Sequence, residues 1–387
     1  MNVPKLRFKE FTGEWEEKLI GDCFVKINDR NKTKSINNII SNTAKYGLVK
    51  QEEYFDKDIA IQENTENYYV IDKGDFVYNP RKSVEAPYGP IRLYQLEETG
   101  IVSPLYLCFR SKNKLFDYFY NYFFQSSKWY RYIYRNGDSG ARADRVNIKD
   151  EVFFSLNTFL PILDEQEKIV DFLNIVCRKI NNQQAIVESL EKQKKGLMQK
   201  IFSQELRFKD DKGEEFPAWE EKLIKEVCSI STGKSNTQDK VDDGVYPFYV
   251  RSSVVEKSDK YLYDEEAVLT VGDGVGTGKI YHYVNGKYDL HQRVYRMYDF
   301  VGVSAKYFYF YFSSHFYDRV SKMSAKNSVD SVRLNMIADM RISVPCMGEQ
   351  TKIVEVLTGV ERQLNISKEV LEHWRQIKKG LLQQMFV

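Results

Sequence analysis

The residues of this chain that could do chemistry fall into four groups, and the spacing inside each group decides which chemistry is open to it. Gly272-Asp273-Gly274-Val275-Gly276-Thr277-Gly278-Lys279 has the composition of a phosphate-cradling loop. A nucleoside-triphosphate loop needs glycine where Asp273 stands and Ser or Thr where Ile280 stands, and a dinucleotide fingerprint needs a Gly-x-Gly-x-x-Gly spacing that alternating glycines do not supply. Asn79-Pro80 begins like the Asn-Pro-Pro-aromatic motif of adenine methyltransferases, but Arg81 replaces the second proline and no glycine-rich cofactor motif precedes it. His282, His291, His315 and His373 lack metal-ligand spacing. Cys23, Cys108, Cys177, Cys228 and Cys346 are scattered singly, without a Cys-x-x-Cys pair, and read as reduced structural thiols. No nucleophile, base and orienter set is legible, so neither catalysis nor a resident metal or cofactor is expected.

The elements that position these residues come from a chain long enough, at 387 residues, for two domains plus connectors. A hydrophobic content of 42% with 27 Tyr and 24 Phe excludes a disordered chain. Residues 1–10 lack the apolar core of a signal peptide, and no uncharged run approaches the roughly 18 apolar residues of a membrane span, so a cytoplasmic protein is expected. A net charge of +2 neither demands nor excludes nucleic acid, because phosphate binding depends on local basic patches.

An internal repeat organises the whole. Glu165-Gln166-Glu167-Lys168-Ile169-Val170 returns as Glu349-Gln350-Thr351-Lys352-Ile353-Val354, and Lys194-Lys195-Gly196-Leu197-Met198-Gln199 returns as Lys378-Lys379-Gly380-Leu381-Leu382-Gln383, both at an offset of 184. Leu6-Arg7-Phe8-Lys9 followed by Trp15-Glu16-Glu17-Lys18-Leu19-Ile20 returns as Leu206-Arg207-Phe208-Lys209 followed by Trp219-Glu220-Glu221-Lys222-Leu223-Ile224. The segment that follows Phe202 directly has no counterpart after Phe386; its counterpart stands at the N-terminus, so the repeat is circular. A circular repeat suggests pseudo-twofold symmetry, with the chain ends meeting at one place and two equivalent docking surfaces for a partner.

Ile169, Leu173, Val176, Ile180, Val187, Leu190, Leu197 and Ile201 step by four and three, as do Ile353, Leu357, Val360, Leu364, Leu371, Trp374, Leu381 and Met385. These are heptad seams, interrupted at matching points by Gln183 and Ser367 and by Lys194 and Lys378, which favours pairing of the two helices with each other. Each would be about 55 Å long at about 1.5 Å per residue. Packing of each helix separately onto a globular core is the alternative. Residues 10–160 and 210–344, rich in Tyr, Phe and Val with turns such as Asn285-Gly286, read as mixed α/β domains with short strands and a few helices, among them the run Phe116 to Tyr134. The expected fold class is therefore α/β (α+β): 1–160 and 204–344 as globular domains, alternating with long antiparallel coiled-coil helices in 161–203 and 345–387.

Two unlike domains, each opening on Trp-Glu-Glu-Lys-Leu-Ile, alternate with two near-identical helices that open with Pro-x-x-x-Glu-Gln and close with Lys-Lys-Gly-Leu-x-Gln. This arrangement resembles the specificity subunit of type I restriction-modification systems over essentially the whole chain. The resemblance implies two target-recognition domains that read an asymmetric, two-part target in double-stranded DNA, with the helices fixing the unread gap. It implies two methyltransferase subunits docked on the shared scaffold and two motor-nuclease subunits joined through them. S-adenosylmethionine, ATP and Mg²⁺ would belong to those partners, in a complex acting as a site-specific deoxyribonuclease and adenine-N6 methyltransferase. Domains held by a helix of about 50 Å can meet one duplex in grooves about one turn, or 34 Å, apart.

Groove reading uses Arg or Lys on guanine, Asn or Gln on adenine, and cations on phosphate. The first domain offers Asn79, Arg81, Lys82, Tyr88, Arg92, Asn136, Ser139, Arg142 and Arg145. The second offers Lys234, Ser235, Asn236, Arg251, the loop Gly272 to Lys279 with Gly276 and Lys279, then His291, Gln292, Arg293, Lys326, Asn327 and Arg333. The glycine loop either lets backbone approach DNA or forms a plain tight turn. Arg145-Val146-Asn147 and Arg333-Leu334-Asn335 match in sequence just upstream of each helix, as readers or as braces. Two other readings compete: a scaffold or inhibitory protein that binds methyltransferase but no specific DNA, and a nuclease whose active site assembles only in space.

Overall fold

The computed structural model describes residues 2–54, 62–138, 143–274, 276–323 and 331–387. The chain divides into two compact units, one formed by residues 1–184 and 370–387 and the other by residues 185–369. Each unit therefore holds one globular region and part of both long helices.

The first unit runs through β1 (Glu16–Leu19), α1 (Ile20–Cys23), β2 (Phe24–Lys26), β3 (Ile40–Thr43), β4 (Gly47–Lys50), α2 (Gln51–Tyr54), β5 (Tyr69–Ile71), β6 (Asp75–Tyr78), β7 (Ile91–Leu93), β8 (Gly100–Val102), β9 (Leu107–Ser111), α3 (Asp117–Gln125), α4 (Tyr130–Asn136), α5 (Asp150–Phe154) and β10 (Asn157–Leu160) into α6 (Leu163–Phe202). Strands β2-β9-β6-β7 form an antiparallel sheet. All four residues of β6 are buried because both faces of the sheet are covered. Phe76 and Tyr78 point into an aromatic core with Phe24, Phe109, Phe119, Phe124 and Trp129, while Val77 faces Ile27, Ile40, Ile71, Val102 and Cys108. The expected aromatic helix from Phe116 to Tyr134 breaks into α3 and α4. At Ser126 the backbone turns extended and the hydroxyl donates to the Phe123 carbonyl at 2.6 Å, ending the first helix.

The second unit contains β11 (Glu220–Leu223), α7 (Ile224–Val227), β12 (Ser229–Thr232), β13 (Tyr246–Tyr249), β14 (Val255–Ser258), β15 (Tyr263–Val271), β16 (Tyr281–Leu290), β17 (Val294–Tyr298), α8 (Ala305–Met323), α9 (Leu334–Ala338) and β18 (Arg341–Val344), leading into α10 (Met347–Gln384). Its six-stranded sheet has the order β12-β17-β15-β16-β13-β14. The first four strands repeat the order β2-β9-β6-β7, and the β13–β14 hairpin is added at the edge. The aromatic helix α8, with Tyr307, Phe308, Phe312 and Phe316 buried, packs on this sheet.

The long helices pair with each other inside each unit. In the first, Ile169 and Leu173 near the start of α6 share a core with Leu382, Met385 and Phe386 at the end of α10, and Arg375 donates to the Gln184 side chain at 3.0 Å. In the second, Ile201 and Phe202 at the end of α6 pack with Ile353 and Leu357 at the start of α10, and Lys194–Glu361 (2.6 Å) and Lys368–Glu191 (2.7 Å) form ion pairs across the pair. Start meets end in both units, so the pairing is antiparallel. Seam residues such as Val176, Val187, Leu364 and Leu371 are buried, as heptad packing requires. Among the described residues no helix is long and apolar enough to cross a membrane.

Candidate nucleic-acid interface

The repeated motifs build the same bracket twice. In the first unit Arg7 donates to both carboxylate oxygens of the fully buried Glu165, at 2.7 and 2.7 Å, and Trp15 Nε1 donates to the same carboxylate at 3.3 Å. In the second, Arg207 donates to both oxygens of buried Glu349 at 2.7 and 2.8 Å, and Trp219 Nε1 donates at 2.8 Å. A buried carboxylate is tolerable only with such forked, charge-assisted pairing. The next residue also repeats its role: Gln166 donates to the Pro161 carbonyl and Gln350 to the Pro345 carbonyl, each at 2.8 Å. Strands β1 and β10 pair in the same register as β11 and β18, Glu16 opposite Leu160 and Glu220 opposite Val344. The shared residues thus tie each globular region to its helix, leaving the unlike residues to differ between the two units.

In the first unit the structure gathers Asn79, Arg81, Lys82 and Arg145. Arg81 and Arg145 are bridged through their backbones, Val146 N–H donates to the Pro80 carbonyl at 2.9 Å, and Lys82 N–H donates to the Asp144 carbonyl at 2.8 Å. Arg81 is exposed and sits 3.6 Å from Asp144. Asn79 is a brace, its amide donating to the Asn42 carbonyl at 2.8 Å. Arg92 also points inward, to the Ala44 carbonyl at 3.2 Å, and burial lowers its pKa. Tyr88 packs on Tyr130 at 5.1 Å, its carbonyl accepting from Tyr78, and Asn136 donates to the Tyr132 carbonyl of its own helix. Ser139 and Arg142 lie outside the described residues.

In the second unit one end of the large sheet gathers the candidates around Asp273, with Arg251 at 3.4 Å and Arg293 at 3.7 Å. Asp273 is bridged to Ser331, Gly272 N–H donates to the Arg293 carbonyl and Val332 N–H to the Gly272 carbonyl, each at 2.8 Å, and Ser235 is bridged to His291. Exposed here are Lys234, Arg251, Lys279, Gln292, Arg293 and Arg333, with Asn236 half-buried and hydrogen-bonded to Gln292. Three of the expected readers lie inward. Ser235 is buried and donates to Asp289 at 2.7 Å. His291 is 4% exposed, accepts from Arg293 N–H through Nδ1 at 3.0 Å, and has its pKa lowered by burial and by nearby Arg251. Gly276 is buried in a tight turn, where a side chain would meet Ile280 Cδ1 at 2.2 Å. Tight turns run through the glycine loop: Thr277 N–H bonds back to the Gly274 carbonyl, Lys279 N–H to the Gly276 carbonyl, and Gly274 and Gly278 take φ of 86° and 69°. Lys326 and Asn327 lie outside the described residues.

The Arg-x-Asn match does not survive in space. Lys149 and Arg333 hold the same place, directly before α5 and α9, whereas Arg145 lies further upstream beside Arg81. The residue bonded like Val146 is Val332, which makes Ser331, not Arg333, the counterpart of Arg145. Sequence reasoning also missed the β3–β4 hairpin and the carboxylates Asp144 and Asp273 that orient the arginines. The Gly47 turn, at φ 73°, was the one local signal for the hairpin.

The family model for the type I restriction modification DNA specificity domain matches residues 12–192 and 218–373, one match to each globular region with its helix. The chain is 26% identical over 319 residues to the type I restriction enzyme MjaVIII specificity subunit of Methanocaldococcus jannaschii, covering 74% of this chain and 73% of that protein. It is 27% identical over 165 residues to the EcoDI specificity subunit of Escherichia coli, covering 43% of this chain but only 36% of that longer protein. The fold aligns with the crystal structure of the type I restriction-modification S subunit from M. genitalium at a TM-score of 0.63 and 13% identity, over 100% of this chain and 99% of that one. Two matches that together span most of the chain, one on each globular region with its helix, leave one conclusion: the chain belongs to the type I restriction-modification DNA specificity family.

Proposed function

We propose that the chain is the DNA sequence-specificity subunit of a type I restriction-modification complex. On this reading residues 1–160 and 204–344 each recognise one half of an asymmetric bipartite target in double-stranded DNA. The helical segments 161–203 and 345–387 set the spacer and offer equivalent seats to two methyltransferase subunits, through which two motor-nuclease subunits join. The chain itself is noncatalytic, and S-adenosylmethionine, ATP and Mg²⁺ bind the partners.

One observation carries the reading. Both units share strand order, helix placement and the Arg–Glu–Trp bracket, yet at the same turn after the central strand one presents Pro80-Arg81-Lys82 and the other Gly272-Asp273-Gly274. One scaffold with two unlike surfaces suits two unlike half-sites, because base identity is read by side chains while the frame only sets register. The DNA contacts on this reading, to bases or to phosphates, come from Arg81, Lys82 and Arg145 in the first domain, and from Lys234, Asn236, Arg251, Lys279, Gln292, Arg293 and Arg333 in the second.

Methylome sequencing of strains with and without the gene tests the proposal. Loss of methylation at one split, asymmetric motif is the expected result. Unchanged methylation at every motif would sink it. Replacing the second domain should change one half-site and leave the other intact.

A further inference from the structure

The β3–β4 hairpin adds little to the core beyond Ile40 and Leu48, yet side chains of the sheet beneath it spend their hydrogen bonds on its main chain. Asn79 Nδ2 donates to the Asn42 carbonyl at 2.8 Å and Arg92 Nη2 to the Ala44 carbonyl at 3.2 Å. Asn42, 2% exposed, sends its own amide down to the Val77 and Pro90 carbonyls at 2.8 and 3.1 Å. Thr43 closes the turn, accepting from Tyr46 N–H at 3.0 Å and donating to the Gly47 carbonyl at 3.2 Å. A two-stranded hairpin alone is marginal in water. This one is clamped at its base while its tip stays outside: Tyr46 is 55% exposed and Lys45 Nζ lies 4.9 Å from its ring centroid.

Beside the hairpin opens a pocket of about 400 Å³, walled by Ser41–Ala44, Asn79–Ser83 and Arg145. Among the described residues its lining carries the cations Arg81, Lys82 and Arg145 and no carboxylate. Among the described residues the buried Arg145 Nε has no hydrogen-bond partner, and the Arg145 side chain lines this pocket. From Ile40 to Lys50 there are two lysines and no acidic residue. A two-stranded ribbon fits the major groove, and cations beside it fit the phosphates that flank the groove.

Resting on the specificity reading above, we propose that the β3–β4 hairpin is the element of the first unit that enters the major groove, with Lys45 and Tyr46 at base edges and Arg145 pairing with a backbone phosphate. Asn79 and Arg92 act as positioning residues that hold the hairpin's pose.

The test uses the full chain assembled with its methyltransferase subunits. Lys45→Ala/Tyr46→Ala should keep the thermal unfolding midpoint of the parent, since neither side chain is in the core. The same variant should degrade methylation through one half-site only and weaken binding to the cognate duplex roughly tenfold or more. Arg145→Gln should weaken binding to all duplexes alike and lower the slope of log K against log salt by about one. The hairpin assignment is overturned if the Lys45/Tyr46 variant binds within twofold of the parent and methylates both half-sites normally; an Arg145→Gln variant with an unchanged salt slope overturns the phosphate pairing. These outcomes differ from failure of the specificity reading itself, in which deleting the whole gene leaves every methylated motif in place.

Discussion

The Leu6 main-chain N–H donates to the Gln384 carbonyl at 2.9 Å, and Leu206 N–H donates to the Lys200 carbonyl at 3.0 Å. Leu6 and Leu206 are counterparts in one repeat, Gln384 and Lys200 in the other. The turn that continuous chain makes between α6 and the second domain is thus matched in the first unit by a hydrogen bond between segments far apart in sequence. A permuted chain, with Val387 joined to Met1 by a short Gly/Ser linker and opened between Ser203 and Gln204, should fold and keep its thermal midpoint to within a few degrees. A large loss of cooperativity in its melting curve would contradict the equivalence of the two joints.

At that joint Gln204 takes φ 61°, a left-handed conformation that costs a side chain about 1 kcal/mol. Gln204→Gly should therefore stabilise the chain by about 0.5–1 kcal/mol, read as a rise in the denaturation midpoint. A fall would mean that the Gln204 side chain contributes more than its backbone strain costs.

The buried brackets set the largest single-residue effects. Arg207→Ala leaves the fully buried Glu349 carboxylate with Trp219 as its remaining side-chain donor, and should cost about 3–5 kcal/mol by chemical denaturation. Adding Glu349→Gln should recover part of that loss, because the uncompensated charge is gone. Arg7→Ala should behave likewise through Glu165.

Asp117, 6% exposed at the start of α3, has its pKa raised by burial from 3.8 to about 6. Folding then takes up a proton between those values, so this group's contribution to stability falls as pH rises from about 4 to 6 and stays low above that window. Asp117→Asn should raise stability at pH 7 by up to about 3 kcal/mol, seen as a higher melting temperature, and by less as pH falls toward 4. Melting curves of both proteins across that range check the sign. A benefit that does not shrink on acidification would remove the carboxylate as its cause.

In the second unit, braces and readers separate by measurement. Ser235→Ala removes one of the donors that satisfy buried Asp289, the others being Ser258 at 3.0 Å and Leu290 N–H at 2.8 Å, and should cost about 1–3 kcal/mol of stability with the methylated motif unchanged. Arg293→Ala, at an exposed site, should leave stability within about 0.5 kcal/mol but weaken one half-site by about 1–3 kcal/mol. The reverse pattern would exchange their roles.

The sequence by itself determined the repeat, its circular order, the two helices and their seams, because those depend on local periodicity and on identical residues meeting identical partners. Glu165 and Glu349 stand in the same motif and fill the same bracket. Only the tertiary structure decided that the two unlike globular regions share one strand order, since strand neighbours such as β6 and β9 are set by long-range pairing that short, two-sided hydrophobic strands do not announce. It also decided which polar residues face outward. Asn79, Arg92 and Ser235 carry the chemistry of DNA readers but bond to backbone and carboxylate partners brought to them from distant parts of the chain, and His291 is buried against its own turn. Burial is a property of the fold, and a hydrogen-bonding side chain looks the same in sequence whether its partner is a base or its own backbone.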